Sequence, residues 1–252
     1  MQDCNPVANP MEQNLKLTST EGSMFEDPTK YIQLVGSLNF LTTTRPDIGY
    51  DVGILSKFMH QTCDGHWNAT KRVLKYLKGT QTYGIKYFKV TNFILIDNSN
   101  FDFDGDKENG VSASGYFMSL GSTNISWRSR KQSIPADSTT EAEYVVATQA
   151  TKEIIWLHKI LEDLQEKQKA STPLLVDNSS AIQLAKNPKF HDRSKHINTK
   201  YHLIRHYVEA KVIHLTHCPT SEKITDIFTK PLGCENFEKF RILFSMSDVP
   251  SD

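Results

Sequence analysis

Acidic residues stand at four places along this 252-residue chain: a cluster running from Asp97 to Asp106, the pair Glu141 and Glu143, Asp177, and Asp226. Each place falls in a different stretch of hydrophobic patterning. Carboxylates delivered by separate elements to one side of a sheet could hold two magnesium ions about 3.5–4 Å apart, the arrangement that cleaves phosphodiesters in line. Spacing by itself does not establish that they converge, because Asp and Glu number 29 in all.

Basic residues make three local groups. Lys71, Lys75 and Lys78 recur at i, i+4 and i+7 with Arg72 beside them, which is either a solvated helix face or a face that touches phosphates. "RSRK" places Arg128 in a short basic run. The stretch from Lys186 to Lys211 includes Arg193 and Lys195 with His196 next to them, and it too reads as solvated charge or as backbone contacts to nucleic acid. His202 and His206 share a helix face without an acidic partner and are left unassigned. Lys plus Arg equal Asp plus Glu at 29 each, so overall charge argues against binding nucleic acid through the whole surface. Divided at Val90, a slight basic excess before it is matched by an acidic excess after it.

Cys4, Cys63, Cys218 and Cys234 are scattered, with no C-x-x-C pair and no zinc-finger His spacing, so they read as reduced thiols of an intracellular protein, cytoplasmic or nuclear. No apolar run approaches a membrane span, and the N-terminus lacks the basic start and apolar core of a secretory signal.

The elements that must position these groups can be read from periodicity. Residues 1–30 read as a linker or a severed end. "TRPDIGYDVGILSKFM" starts a helix at Pro46 with Ile48, Val52, Leu55 and Met59 on one stripe, and Asp51 falls on that stripe at a cost unless it finds a partner. "HWNATKRVLKYLKGT" is a second helix with Trp67, Val73, Leu74 and Leu77 inward. "YGIKYF", "FILI", "ASGYFMSL" and "NISW" read as a meander of strands. A long helix then opens with Ser138 and Glu141 at capping-box spacing and carries Val145, Ile154, Trp156, Leu157, Ile160, Leu161 and Leu164. "PLLVD" is a buried strand ending on Asp177, "TKYHLIRHYVEAK" a helix, "VIHLTH" a strand and "EKITDIFTK" a last helix. The pattern is α/β with a mixed sheet.

"GDKENGVSASGYFMSLGSTNISWRSRKQSIPADSTTEAEYVVATQATKEIIWLHKIL", "DNSSAIQLAKNPKFHDRSKHINTKYHLIRHYVEAKVIHLTHCPTSEKITDIFTKPL" and the upstream "YIQLVGSLNFLTTTRPDIGYDVGILSKFM" and "HWNATKRVLKYLKGTQTYGIKYF" closely resemble the C-terminal part of the copia-type retrotransposon Pol polyprotein, over nearly the whole chain. The resemblance implies a small, mainly helical reverse-transcriptase thumb or connection remnant over 31–90. It implies a ribonuclease H-like fold with a mixed five-stranded sheet over 91–233, and a C-terminal tail over 234–252. The polymerase aspartates would lie upstream, and no Y-x-D-D motif occurs here.

Carried over position by position, the resemblance implies Glu143 in "EAEY", Asp177 in "VDNSSAI" and Asp226 in "ITDIFTK" as catalytic metal ligands. Glu141 keeps its capping role. The family's first strand ends in S-D-x-D-[WF]-x-G-D, whereas this chain has "SNFDFDGD", which puts Asn100 at the first aspartate. An amide offers a metal one oxygen and no charge, so affinity and rate should fall severely. Asp102 lies further along the same face and Asp97 on the opposite face, so neither substitutes. With Asp51 on a core stripe, two departures point to an element no longer held to its function.

The activity this implies is Mg²⁺- or Mn²⁺-dependent hydrolysis of the RNA strand of an RNA/DNA hybrid. Two ions would serve an intact site, with metal binding here in doubt and cleavage weakened or lost at Asn100. The alternatives are a non-catalytic nucleic-acid-binding module and an inert retroelement relic. Expected partners are hybrid or other nucleic acid and the remainder of a Pol polyprotein, with no membrane and no small-molecule cofactor.

Overall fold

The computed structural model describes residues 3–15, 17–19, 22–89, 93–102, 113–131, 139–176, 179, 182–183, 198–218 and 224–249. In chain order they form α1 (Pro28–Leu41), a 3-10 turn (Pro46–Ile48), α2 (Gly49–Ser56), α3 (Asp64–Gly79), β1 (Tyr83–Ile85), β2 (Leu95–Asp102), β3 (Ala113–Leu120), β4 (Thr123–Lys131), α4 (Thr139–Asp163), β5 (Thr172–Val176), α5 (Asn198–Glu209), β6 (Ile213–His217), a second 3-10 turn (Ile224–Phe228), α6 (Cys234–Leu243) and β7 (Met246–Asp248). They divide into two compact units, Met1–Lys86 with Ile227–Asp252, and Tyr87–Asp226.

In the first unit, α1 starts where the Asp27 side chain accepts from the Lys30 backbone N–H at 3.0 Å and Pro28 fills the first helical turn. The start of α3 is closed by a capping box of Cys63 and His66, in which the Cys63 N–H donates to His66 Nδ1 at 3.1 Å. Its buried face is Ala69, Thr70, Val73 and Tyr76, a rotation of the stripe read from sequence: Trp67, Leu74 and Leu77 are only half-buried. Tyr76 can lie inside because its hydroxyl has a partner, donating to Asp47 Oδ2.

That hydroxyl belongs to a buried polar network. Arg45 donates to the Asp47 carboxylate from Nε at 2.9 Å and Nη2 at 2.8 Å, and to the Thr80 carbonyl and hydroxyl at 2.8 and 2.7 Å. Burial lowers the guanidinium's pKa, but the hydrogen bond and charge of Asp47 outweigh it, and the net shift is upward. Arg241 of α6 reaches Tyr76 Oη at 3.4 Å, tying the C-terminal helix to α3.

Both chain ends depart from expectation. The segment read as a linker is packed against this unit: Asn9 and Met11 are buried, and Asn9 Nδ2 donates to the Leu232 carbonyl at 2.8 Å. Residues 234–252, read as a tail, hold α6 and β7, with Phe237, Phe240, Phe244 and Met246 buried. The strands β2, β3 and β4 form the meander read from the sequence, but "YGIKYF" does not join it: β1 pairs antiparallel with β7, Tyr83 opposite Asp248. A strand of three residues whose partner is at the other end of the chain leaves no local signal of its pairing.

The second unit is a mixed five-stranded sheet in the order β4-β3-β2-β5-β6, antiparallel across the first three strands and parallel from β2 through β5 to β6. β3 turns directly into β4 at Gly121 and Ser122, whereas the parallel step from β4 to β5 needs a crossover, which α4 supplies. This helix packs on β2, β3, β5 and α5. Its inward stripe is Tyr144, Ala147, Ala150, Ile154, Leu157 and Leu161, in steps of three and four, and the two alanines let backbone and sheet approach closely. Trp156 and Leu164, read from sequence as apolar positions of the same helix, are 53% and 67% exposed.

Candidate active site

Glu143 lies in the second turn of α4, next to core residue Tyr144, and is 5% exposed. Asp226 lies in the second 3-10 turn and is 7% exposed; the last helix expected there is this short turn, with α6 following. Two carboxylates are thus withdrawn from water on separate elements, a costly placement for surface acids and an ordinary one for metal ligands.

Asn100 stands in β2, its backbone opposite Gly115 of β3. Strand β2 runs parallel to β5, with Asn98 paired to Leu175. Asn100 and Asp177 each come two residues after that pair in sequence. Asp177 itself, and Arg193, Lys195 and His196, lie outside the described residues, as do Ser138 and the side chains of Asn100, Asp102 and Glu141. Among the described residues no group of three or more His, Cys, Asp or Glu side chains is gathered as a metal site.

Asp97 is fully buried. In β2, Leu95 is buried, Ile96 half-buried and Asp97 buried, so Asp97 shares the face of Leu95, which packs with the α4 stripe in one core. This matches the alternation that set it on the face opposite Asn100. Its backbone neighbours are Met118 and Leu174.

A second polar group went unforeseen in the sequence. Burial raises the Tyr116 phenol's pKa, the Glu153 charge raises it further, the Arg128 hydrogen bond and charge oppose, and Asp97 adds a smaller upward push. Ser126 donates to Glu153 Oε1 at 2.8 Å. Arg128, read as a nucleic-acid contact, is exposed on edge strand β4 directly across from Tyr116. Strand register sets Arg128 across from Tyr116 and the packing of α4 on the sheet brings Glu153 to them, so spacing in "NISWRSRK" alone gave no sign of it.

The Lys71, Lys75 and Lys78 face belongs to the first unit and is not open along its length. The Lys78 ammonium donates to the Cys4 carbonyl at 2.8 Å, and Arg72 beside them donates to Glu12 and Asn9 at 3.1 and 2.7 Å. The N-terminal segment therefore crosses this face. Among the described residues no helix is long and apolar enough to cross a membrane.

No family model matches the chain. It is 40% identical over 250 residues to the retrovirus-related Pol polyprotein of transposon RE2 of Arabidopsis thaliana, covering 99% of this chain and 17% of that protein. It is also 44% identical over 128 residues to secreted RxLR effector protein 161 of Plasmopara viticola, covering half of this chain and 90% of that one. Among solved structures, the N-terminal ribonuclease H domain of a Mycobacterium tuberculosis protein aligns with 60% of the chain at 11% identity and a TM-score of 0.41. The second unit has a ribonuclease H-like fold, by the order and directions of its five strands with α4 as the crossover. Spanning less than a fifth of the length of its Pol relative, the chain belongs to the Pol polyproteins of copia-type retrotransposons.

Proposed function

We propose that the second unit is a retroelement ribonuclease H domain, descended from one that hydrolyses the RNA strand of RNA/DNA hybrids, and that its cleavage is weakened or lost because Asn100 replaces a metal-binding aspartate. The observation that carries this is the delivery of Glu143, nearly buried, by the first turns of the crossover helix that packs on β2, the strand holding Asn100. The first unit would be the remnant of the reverse-transcriptase thumb or connection.

Carboxylate oxygens suit hard divalent cations, and Glu143 and Asp226 are carboxylates held away from water. Those two with Asp177 would hold Mg²⁺ or Mn²⁺. The bound ions would activate a water and stabilise charge on the phosphate. With an amide at position 100 the donor set would be one charge short, which should lower metal affinity. A hybrid is read by groove shape and 2′-hydroxyls, with Arg128, Arg193, Lys195 and His196 as backbone contacts. Its setting would be intracellular.

The reading is tested by metal-dependent cleavage of a labelled hybrid by the chain and by Asn100→Asp. Cleavage that is feeble in the first and strong in the second supports it; strong cleavage by the unaltered chain defeats the claim about Asn100, and none by either defeats the enzymatic ancestry of the site. The second reading, a binder without catalysis, is favoured by the same asparagine. It predicts salt-dependent hybrid binding by both forms with no product.

A further inference from the structure

A recess of about 550 Å³ lies in the first unit between α3 and the N-terminal segment, within the size range of small-ligand pockets. Lys71, Arg72 and Lys75 line it from the helix, and Glu12, Leu15 and Thr18 from the segment. Three cations thus face one carboxylate. Lys71 and Lys75 are half-buried, so their charges are less well hydrated than on an open face.

Two further features make this a built recess. Arg72 spends its Nη1 and Nη2 on Glu12 and Asn9, while its Nε, buried, has no hydrogen-bond partner among the described residues; the same holds for the buried Thr18 hydroxyl. A buried donor left unpaired costs about 1–3 kcal/mol, and two in one recess are supplied by a ligand rich in acceptor oxygens. The wall is also held in place. The Cys63 N–H donates to His66 Nδ1, which fixes the proton on Nε2, and Nε2 donates to the Thr18 carbonyl at 3.0 Å.

We propose that this recess is a binding site for a small phosphate-bearing ligand, the phosphate seated among Lys71, Lys75, Arg72 Nε and the Thr18 hydroxyl. Phosphate supplies charge and several acceptors at once, which is what two ammonium groups, a guanidinium N–H and a hydroxyl can use. The volume suits a free nucleotide or pyrophosphate and is far too small to admit a duplex. Glu12 sets a limit, since a dianion beside it needs all three cations.

Calorimetric titration of the full chain with pyrophosphate, a nucleoside monophosphate and a short single-stranded oligonucleotide tests it. Expected is saturable binding of the first two that weakens with salt, and a loss of about tenfold or more in Lys71→Gln/Lys75→Gln. Thr18→Val, which removes only a hydroxyl, should weaken binding by a smaller factor, and the melting temperature of each variant shows whether it still folds. No saturable heat from either small ligand, equal binding by the folded lysine variant, or binding of the oligonucleotide alone would overturn the proposal. None of these outcomes depends on hybrid cleavage by the other unit.

Discussion

On the proposed reading, position 100 decides what the second unit can do. An amide and a carboxylate have nearly the same shape, so Asn100→Asp leaves β2 as it is and adds one negative charge where the resemblance puts a ligand. Metal-dependent cleavage of a hybrid should rise about a hundredfold or more, and the metal concentration for half-maximal rate should fall. A single initial-rate series against Mg²⁺ reads both. Glu143→Gln in the Asn100→Asp background should abolish the gain, whereas Glu141→Ala, at the position the sequence reads as a cap, should cost stability and leave the rate largely intact. Equal losses in the two variants would dissolve the distinction drawn between those glutamates.

Asp51 is a residue-scale cost of another kind. Burial raises its pKa well above the usual carboxylate value, the nearby Asp47 charge adds to this, and Arg72 opposes only weakly. A group whose folded pKa is raised binds its proton more tightly in the native state, so stability is fullest below the unfolded value, about 4, and falls as pH rises toward the raised one. Asp51→Asn should therefore stabilise the first unit at neutral pH by about 1 kcal/mol or more. It should also flatten the decline in stability above about pH 4. Urea titrations across that range would measure both, and a parallel curve for the variant would contradict the assignment.

At the scale of elements, the sequence was legible wherever pattern and partner were local. The stripe of α4 could be read because its period repeats over several turns, though not which of its apolar residues would stay in water: Trp156 and Leu164 fit the pattern and remain exposed. The face of α3 was misread because Tyr76 is counted as half-polar by type, whereas a fixed acceptor on Asp47 lets it occupy the centre. The proposed sheet site rests on family resemblance, since carboxylates on four elements have no common period. Arg45 shows what pattern cannot weigh. It is 6% exposed and donates to both oxygens of the Asp47 carboxylate, so Arg45→Met leaves a buried charge and the Thr80 carbonyl without it. The expected loss is about 3–5 kcal/mol in chemical denaturation, against about 1–2 for Tyr76→Phe.

Across the whole molecule, the charge asymmetry found by cutting the chain at Val90 disappears when it is divided where the structure divides it, for each unit then carries as many basic as acidic residues. Any attraction to nucleic acid or phosphate would therefore come from local arrangements and not from the field of either unit. The division has a sharper consequence for folding. Chain order places the C-terminal segment after the sheet domain, yet Phe237, Phe240, Phe244 and Met246 are buried within the unit that begins at Met1, and β7 gives β1 its partner. Residues 87–226 contain their own sheet, crossover helix and core, so as an excised fragment they should fold cooperatively. Residues 1–86 alone should not, because removing even one such phenylalanine typically costs about 3–5 kcal/mol and total stabilities are only about 5–15 kcal/mol. Adding a peptide of residues 227–252 should restore order to the 1–86 fragment in a saturable way, read by near-ultraviolet dichroism and by protection of the Tyr83–Ile85 amides from exchange. A 1–86 fragment that folds without the peptide would show that α6 and β7 cover an already complete core, and the unit would then be divisible where the structure indicates it is not.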